Sequence, residues 1–465
     1  MTHDLIIIGS GPAGISAALC AASVGLRVVV LDEQPHVGGQ IYRNAGAADP
    51  RVAALLGPDY ARGRLLVDRL SRSGVEIHHG ALVWDVASDL TVTALKNGGS
   101  MRLCAPQLIA ATGALERPSP IPGWTLPGVL NAGAAQIAMK SGAAIPSGAV
   151  VLAGGGPLLL LVACQLLEAG ANVVGVVETS PAANRVAALR HLPAALLAPA
   201  YLAKGLRMMR RVRAAGVPWY TQATDLAVEG EDRARSLSFR AGGQLLRLQA
   251  DTVLLHHGVI PNTQLGRLLR VEHDWDEAQL AWHPRVDAWG QTSLEGFRIA
   301  GDGASIAGAL AAEASATIAA LGAAHALDRL SDNERDIRAE AQRRALAKHG
   351  RIRPFLDALY RPPQWINTPA DGTIVCRCEE VSAGRVREMG RLGCEGPNQT
   401  KFLSRCGMGP CQGRQCGIVV TQLLARELHR TPAEIGAYRV RAPLKPVPLA
   451  SIANLTIPAS ETSAP

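Results

Sequence analysis

Leu5-Ile6-Ile7-Ile8 is an unbroken apolar run, the pattern of a strand buried on both faces of a parallel sheet. It leads straight into Gly9-Ser10-Gly11-Pro12-Ala13-Gly14, then an apolar helix over residues 15–23 that stops at Gly25. A second apolar run, Val28-Val29-Val30-Leu31, closes on Asp32 and Glu33. Strand, glycine turn, helix, strand and acid in that order make a dinucleotide-binding unit. Gly9 permits the tight turn, Gly11 lets backbone approach a pyrophosphate, and Gly14 packs helix against strand; Pro12 and Ala13 lie in the same turn. The helix N-terminus offers its partial positive charge to the phosphates, and Asp32 stands where a carboxylate takes the ribose hydroxyls. The plan recurs further on: an apolar strand from 149, Gly154-Gly155-Gly156-Pro157, a helix over 158–169, a strand over 172–177 and Glu178. Here Leu159 occupies the third glycine position, and a branched side chain there makes tight NAD(P) binding doubtful.

The remaining pattern fills in around these two units. Gly38-Gly39-Gln40 marks a tight loop, residues 60–71 read as a helix, and alternating strands over 75–92 lead to a hairpin signal at Asn97-Gly98-Gly99. Leu108-Ile109-Ala110-Ala111-Thr112-Gly113 is an apolar strand, after which Pro118, Pro120, Pro122 and Pro127 predict a stiff, extended exit. A return strand over 251–262 carries His256 and His257, which as strand neighbours point to opposite faces and cannot easily share one ion. Gly296–Ala304 delivers Gly301 and Asp302 to a turn before an Ala-rich helix over 308–327; Asp302 reads either as a cofactor ligand or as a helix N-cap. A charged helix over 333–349 follows, then prolines at 362, 363 and 369. Short helices are expected over 382–391 and 418–429, and Thr431-Pro432-Ala433-Glu434 is a capping box. Residues 207–215 read as a basic, solvated helix face, and the Pro-rich stretch beyond Arg441 suits a tail laid across a partner.

The fold class is therefore α/β: two Rossmann-like dinucleotide-binding domains plus a small α-rich C-terminal domain. The expected division is 1–118 with 263–330 for the first domain, 119–262 for the second, 331–369 as connector, 370–441 for the small domain and 442–465 as tail. Composition changes this picture little. Hydrophobic residues at 48% and charged residues at 18% are ordinary for a globular chain. The formal charge of +8 comes from scattered arginines, and with 4% aromatics nucleic-acid binding has little support. A basic face still suits an acidic partner or a membrane surface. No basic leader precedes the first strand, and the apolar stretch over 149–167 is split by its glycines into pieces too short to span a bilayer. A cytoplasmic location, with attachment at the periphery of the inner membrane as the alternative, is expected.

Cysteine placement changes the picture most. Six of the nine cysteines fall between 376 and 416: Cys376-Arg377-Cys378, Cys394, and Cys406-Gly407-Met408-Gly409-Pro410-Cys411-Gln412-Gly413-Arg414-Gln415-Cys416. Thiolates on a Gly-rich loop can converge on a small inorganic core, with backbone N–H groups turned toward its sulfurs. Disulfides are the weaker account, because nothing else suggests secretion. Zinc is the structural alternative, but a C-x-C knuckle with a C-x4-C loop fits the usual C-x2-C pairing poorly, so a [2Fe–2S] cluster is favoured.

The pattern Cys-x-Cys-Glu-Glu-Val, later Ser-Arg-Cys-Gly-Met-Gly-Pro-Cys-Gln-Gly, resembles the bacterioferritin-associated-ferredoxin type of [2Fe–2S] domain. More narrowly, it resembles that domain as fused to the FAD-binding alpha subunit of opine oxidases, D-hydroxyproline and dye-linked L-proline dehydrogenases and hydrogen cyanide synthases. The likeness extends through residues 1–43 and 111–118. It implies Cys376, Cys378, Cys406 and Cys411 as cluster ligands; the related ferredoxins close with C-x2-C, so the longer loop and Cys416 leave open which of the last three thiols bind. It implies a glutathione-reductase-like FAD domain, with Gly39 and Gln40 beside the isoalloxazine, Thr112 and Gly113 in the crossing strand, and Asp302 at the ribityl chain. Some relatives hold ATP there in place of FAD, and some place FMN at a subunit contact. The implied partners are a D-amino-acid-oxidase-like FAD beta subunit, a small iron–sulfur gamma subunit, and quinone or another acceptor.

The expected function is that of an electron-transfer subunit of a multi-subunit amine dehydrogenase, with the substrate site in a partner, because no segment remains for a substrate-shaping domain and no acid–base constellation stands out. On resemblance of Asp32-Glu33-Gln34-Pro35 and Gly38–Arg43, the substrate is an opine or D-hydroxyproline before glycine. The alternatives are a self-contained NAD(P)H-dependent flavin reductase feeding its own cluster, and a non-enzymatic iron–sulfur adaptor.

Overall fold

The computed structural model describes residues 2–455, so the last ten residues of the expected tail lie outside the described residues. Two five-stranded parallel sheets form the body. In the first, Leu5–Ile8 lies between Val28–Asp32 and Gln107–Ala110, with Glu76–His79 and Phe297–Ile299 at the edges. The edge strand at 297–299 arrives from far along the chain, so the first domain is discontinuous. Leu5, Ile6 and Ile7 have no exposed surface: one face packs on helices Pro12–Ser23 and Ala309–Ala326, the other on the antiparallel strands Leu82–Val86, Thr91–Lys96 and Gly99–Cys104. Asn97 and Gly98 both take positive φ, and they make the hairpin turn signalled in the sequence.

The second sheet has the order Trp219–Tyr220, Asn172–Glu178, Ala149–Gly154, Thr252–His256, Val129–Asn131, all parallel. Two crossing strands, Ala114–Glu116 outward and Val259–Pro261 back, pair antiparallel and join the domains. Helix Asp332–Gly350, with Ser331 and Glu334 forming a capping box, packs along Ala309–Ala326 and starts the connector.

The C-terminal module has a short hairpin, Ile374–Cys376 with Val381–Ser382, and helices Ala383–Arg391, Pro397–Ser404, Gly417–Glu427 and Pro432–Ile435. Its core of Val375, Val386, Val419, Leu423 and Leu424 continues into Ile260 and Ala281 of the body. The following Pro-rich segment was expected across a partner; it lies across the chain's own first domain. Leu444 is buried in that domain's core with its N–H on Trp84 O at 2.7 Å, Lys445 pairs with Glu33, and Ser451 O accepts from Ser100 Oγ at 2.6 Å. Apolar side chains at 440 and 444 anchor a segment whose sequence has no periodicity. Among the described residues, no helix is long and apolar enough to cross a membrane.

Candidate functional site

A cleft of about 930 Å³ runs from the first glycine turn, past the crossing strands, to the second glycine turn. Eleven of the thirteen predicted nucleotide-site residues line it: Gly9, Gly11, Pro12, Ala13, Asp32, Glu33, Gly39, Gln40, Thr112, Gly113 and Asp302. The other two are packing positions. A Cβ on Gly14 would meet Gly9 O at 1.8 Å, and one on Gly301 would meet Ala13 Cβ at 2.7 Å. Asp32 is nearly buried, and its Oδ2 accepts from Ser10 N at 2.6 Å and Ser10 Oγ at 2.5 Å, while Oδ1 accepts from Gln34 N at 2.8 Å. These bonds tie the acid to the glycine turn and fix both around one opening. Asp302 Oδ1 accepts from the N–H groups of Ala307 and Gly308, each at 3.0 Å, so its carboxylate caps the loop ahead of helix Ala309–Ala326.

The Gly38-Gly39-Gln40 loop presses on the first turn: a Cβ on Gly39 would lie 2.7 Å from Gly11 Cα. It is clamped from the second domain by Lys140, which donates to the carbonyls of Gln40 at 2.9 Å and Ile41 at 3.0 Å, and to Gln136 Oε1 at 2.9 Å. Burial, aided by Arg43, pushes the Lys140 ammonium down to about 7. Nothing in the sequence around Lys140 signalled this role, because its partners are backbone carbonyls a hundred residues away.

Midway along the cleft, His256 Nδ1 lies 2.6 Å from Glu116 Oε1, and Glu116 also accepts from Gly133 N at 2.9 Å. His257 sits apart from that pair, bridging Ser119 Oγ at 2.8 Å and Thr179 Oγ1 at 3.0 Å. Burial, with His256 and Arg117 nearby, drives its pKa down to about 3. The two imidazoles thus serve different partners, as strand neighbours must.

The second glycine turn opens on the same cleft, with the connector at its border. Tyr360, from the connector, lines the cleft against Gly155, with its ring 3.6 Å from the place a Cβ would take there. Burial and the nearby Glu178 carboxylate raise the Tyr360 phenol to about 12. Asn184 Nδ2 holds this segment by the carbonyls of Leu359 at 3.3 Å and Arg361 at 2.8 Å, and Trp365 stands edge-on to His257. Leu159 is fully packed in the core, and Glu178 already engages Trp219 Nε1 at 3.4 Å and Arg185 at 3.8 Å.

Five of the six clustered cysteines fall into two groups. The sulfurs of Cys376, Cys406 and Cys416, all buried, lie within 4.8 Å of one another. Cys378 is exposed and interacts with Cys411. Cys394 is buried and stands outside the triad. Of the four thiols implied as ligands, the structure thus brings Cys376 together with Cys406, and Cys378 with Cys411, and adds Cys416 to the first group. The triad concentrates negative charge on Cys376: hydrogen bonds from the Cys406 and Cys416 thiols, with Gly407 N–H at 3.5 Å, hold it far below the usual thiol range. The same interactions push Cys406 and Cys416 up. Gln412 and Gly413, both at positive φ, turn the loop back so that Cys416 rejoins the triad at the start of helix Gly417–Glu427.

This donor set suits a thiolate-ligated metal group. Gly409 is held so close that a Cβ would lie 2.2 Å from Cys378 Cβ. The Tyr438 ring covers Gly407 and Gly413, and its hydroxyl is buried beside Cys406. Arg414, from the same loop, lines the nucleotide cleft, donates to Leu444 O at 3.2 Å and lies within electrostatic reach of Cys411, Glu33 and Cys378.

Comparison with known proteins is consistent across the chain. Residues 3–326 match the family described as pyridine nucleotide-disulphide oxidoreductase, and residues 374–455 match the sarcosine oxidase A3 domain. Among the opine oxidase A subunits, that of Rhizobium meliloti is 43% identical over 462 residues, covering 97% of this chain and 88% of the relative. The hydrogen cyanide synthase subunit HcnB of Pseudomonas aeruginosa is 31% identical over 473 residues, covering 97% and 98%. Among solved structures, an L-proline dehydrogenase from P. horikoshii superposes with a TM-score of 0.71 at 18% identity, over 97% of this chain and 79% of that one, a likeness of fold.

Proposed function

The chain belongs to the pyridine nucleotide-disulphide oxidoreductase family, alongside the opine oxidase A subunits and HcnB, and from that premise we propose that it is the electron-relay subunit of a multi-subunit amine dehydrogenase. The donor is an opine or a proline-type amino acid, oxidised in a D-amino-acid-oxidase-like partner; quinone or another carrier, with or without a small iron–sulfur subunit, takes the electrons onward. The observation that carries this reading is Arg414: a residue of the cysteine loop also forms a wall of the nucleotide cleft. A nucleotide in the first fold and a group on the thiols would be neighbours, which electron relay requires.

Gly9, Gly11, Pro12, Ala13 and Gly14 would seat a pyrophosphate, with FAD the favoured occupant and ATP the alternative. Asp32 and Glu33 would hold the ribose, and Gly39, Gln40, Thr112, Gly113, Gly301 and Asp302 would border the far end of the nucleotide; FMN belongs at the contact with the partner. Bound flavin and a [2Fe–2S] cluster would supply conversion of a two-electron input into one-electron steps. Four thiols would hold the cluster as two pairs: Cys378 with Cys411, and Cys376 with either Cys406, the implied ligand, or Cys416, which the loop brings equally close. Leu159 at the third glycine position and Tyr360 beside Gly155 favour input from a partner over NAD(P)H.

The test is purification with whatever accompanies the chain, followed by iron, sulfide and nucleotide analysis. About two irons per chain are expected, together with FAD or ATP. Cys376→Ser should abolish iron binding, while comparison of Cys406→Ser with Cys416→Ser identifies the fourth ligand as the one whose loss bleaches the cluster. Zinc in place of iron would contradict the relay.

A further inference from the structure

On the outer side of the second domain, three helices follow one another: Ala182–Leu189, Leu192–Leu196 and Pro199–Ala214. From 179 to 224 the sequence holds seven lysines and arginines and no carboxylate, in a chain that has 39 Asp and Glu in all. Residues 182–214 carry six of the eighteen exposed large apolar side chains of the described residues. Val186, Leu189, Leu196, Leu197 and Leu206 are each between 50% and 70% exposed. Apolar exposure and one-sided charge therefore coincide on one short stretch.

The inner faces of these helices are already used. Ala188, Ala195 and Val212 are buried; the first helix packs on connector helix Arg353–Leu359, and the third on Pro157–Glu168. Three of the cations are tied down locally: Arg185 to Glu178 at 3.8 Å, Arg211 to Glu168 at 3.0 Å, and Lys204 to Asp59. Arg213 lies over the Trp219 ring. Arg190, Arg207 and Arg210 have no carboxylate partner among the described residues. Nothing in the fold needs leucines at 196 and 197 in water, or arginines beside them with no counter-charge.

We propose that helices 182–214 form a docking surface for an anionic lipid bilayer. Aliphatic side chains would enter the headgroup boundary while arginine side chains reach lipid phosphates. An acidic protein is the competing occupant. The exposed set favours lipid: Leu and Val dominate it, and both are scarce among the residues that anchor protein interfaces. This surface is independent of what the cysteines bind, so it stands or falls separately from the relay.

The experiment uses the full-length chain with its co-purifying partners, floated with vesicles of phosphatidylcholine alone or mixed with phosphatidylglycerol. Binding is expected only with phosphatidylglycerol and should fall as salt rises. Leu196→Ser with Leu197→Ser should weaken it at least about tenfold, and Arg207→Gln or Arg210→Gln roughly fivefold each. All these side chains are exposed, so unfolding temperatures should match the parent. No binding to phosphatidylglycerol vesicles, or binding unchanged in both sets of variants, would overturn the proposal. So would loss of a co-purifying subunit from these variants when the parent ignores vesicles, which would assign the face to a protein contact.

Discussion

In the first nucleotide fold the turn Gly9–Gly14 faces an open cleft, and its acid, Asp32, is tied to Ser10 around that opening. In the second, the turn Gly154–Pro157 faces Tyr360, and its acid, Glu178, is engaged by Arg185 and Trp219. Both start from strand, glycines, helix and acid. The difference lies in what distant chain stands beside the turn: Lys140 steadies a loop beside the first, whereas Tyr360 of the connector borders the second. A glycine-rich turn supplies the means to hold a pyrophosphate, and the surrounding packing decides whether it can be used.

Restoring the missing glycine separates these causes. Leu159→Gly empties a fully packed core position and should cost about 4 kcal/mol of stability, read by urea unfolding, without creating NADH binding, because Tyr360 remains. Gain of micromolar NADH affinity in that variant would place the block at Leu159 and not at the connector. In the first fold, Asp32→Ala strands the Ser10 and Gln34 donors, and about 2–3 kcal/mol of stability should go with most of the co-purifying nucleotide. A variant retaining its full nucleotide complement would show that the acid only braces the turn.

Tyr360→Ala is the gentler probe of the second fold. Opening the adenosine region should raise affinity for ADP-ribose by about tenfold or more in calorimetry; an unchanged, undetectable affinity would mean that other packing closes the site. A further effect concerns pH. His257 is neutral in the fold with a pKa near 3, well below its unfolded value, so the unfolded chain takes up the proton first as pH falls. Its contribution is complete above about 6.5 and is lost progressively toward pH 3, with a slope of at most about 1.4 kcal/mol per pH unit. His257→Gln keeps a polar group between Ser119 and Thr179 and should flatten the decline in stability between pH 7 and pH 5; an unchanged slope would assign that decline to other groups.

The contrast also explains what the sequence could and could not convey. Gly9, Gly14 and Leu159 were legible because close backbone approach admits only glycine, and its loss is visible in one letter. The hairpin at Asn97-Gly98 and the capping box at Thr431 were legible for the same local reason. Tyr360 was not, because it acts on Gly155 from two hundred residues away and sits in a stretch with no periodic pattern. Lys140 and Glu116 were hidden likewise. Cysteine spacing placed the thiols together, but their grouping depends on positive φ at Gln412 and Gly413, which returns Cys416 to Cys376. Composition pointed the segment beyond Arg441 at a partner, whereas Leu444 packs inside its own chain.

The most direct test is an anaerobic titration of the purified complex, followed by absorbance and electron paramagnetic resonance, with NADH in one cell and an opine or proline-type amino acid in the other. The account predicts an unchanged spectrum with NADH and, with the amino acid, the rhombic signal of a reduced [2Fe–2S] centre that disappears in Cys376→Ser. Prompt reduction by NADH, in the complex or in the chain alone, would contradict it.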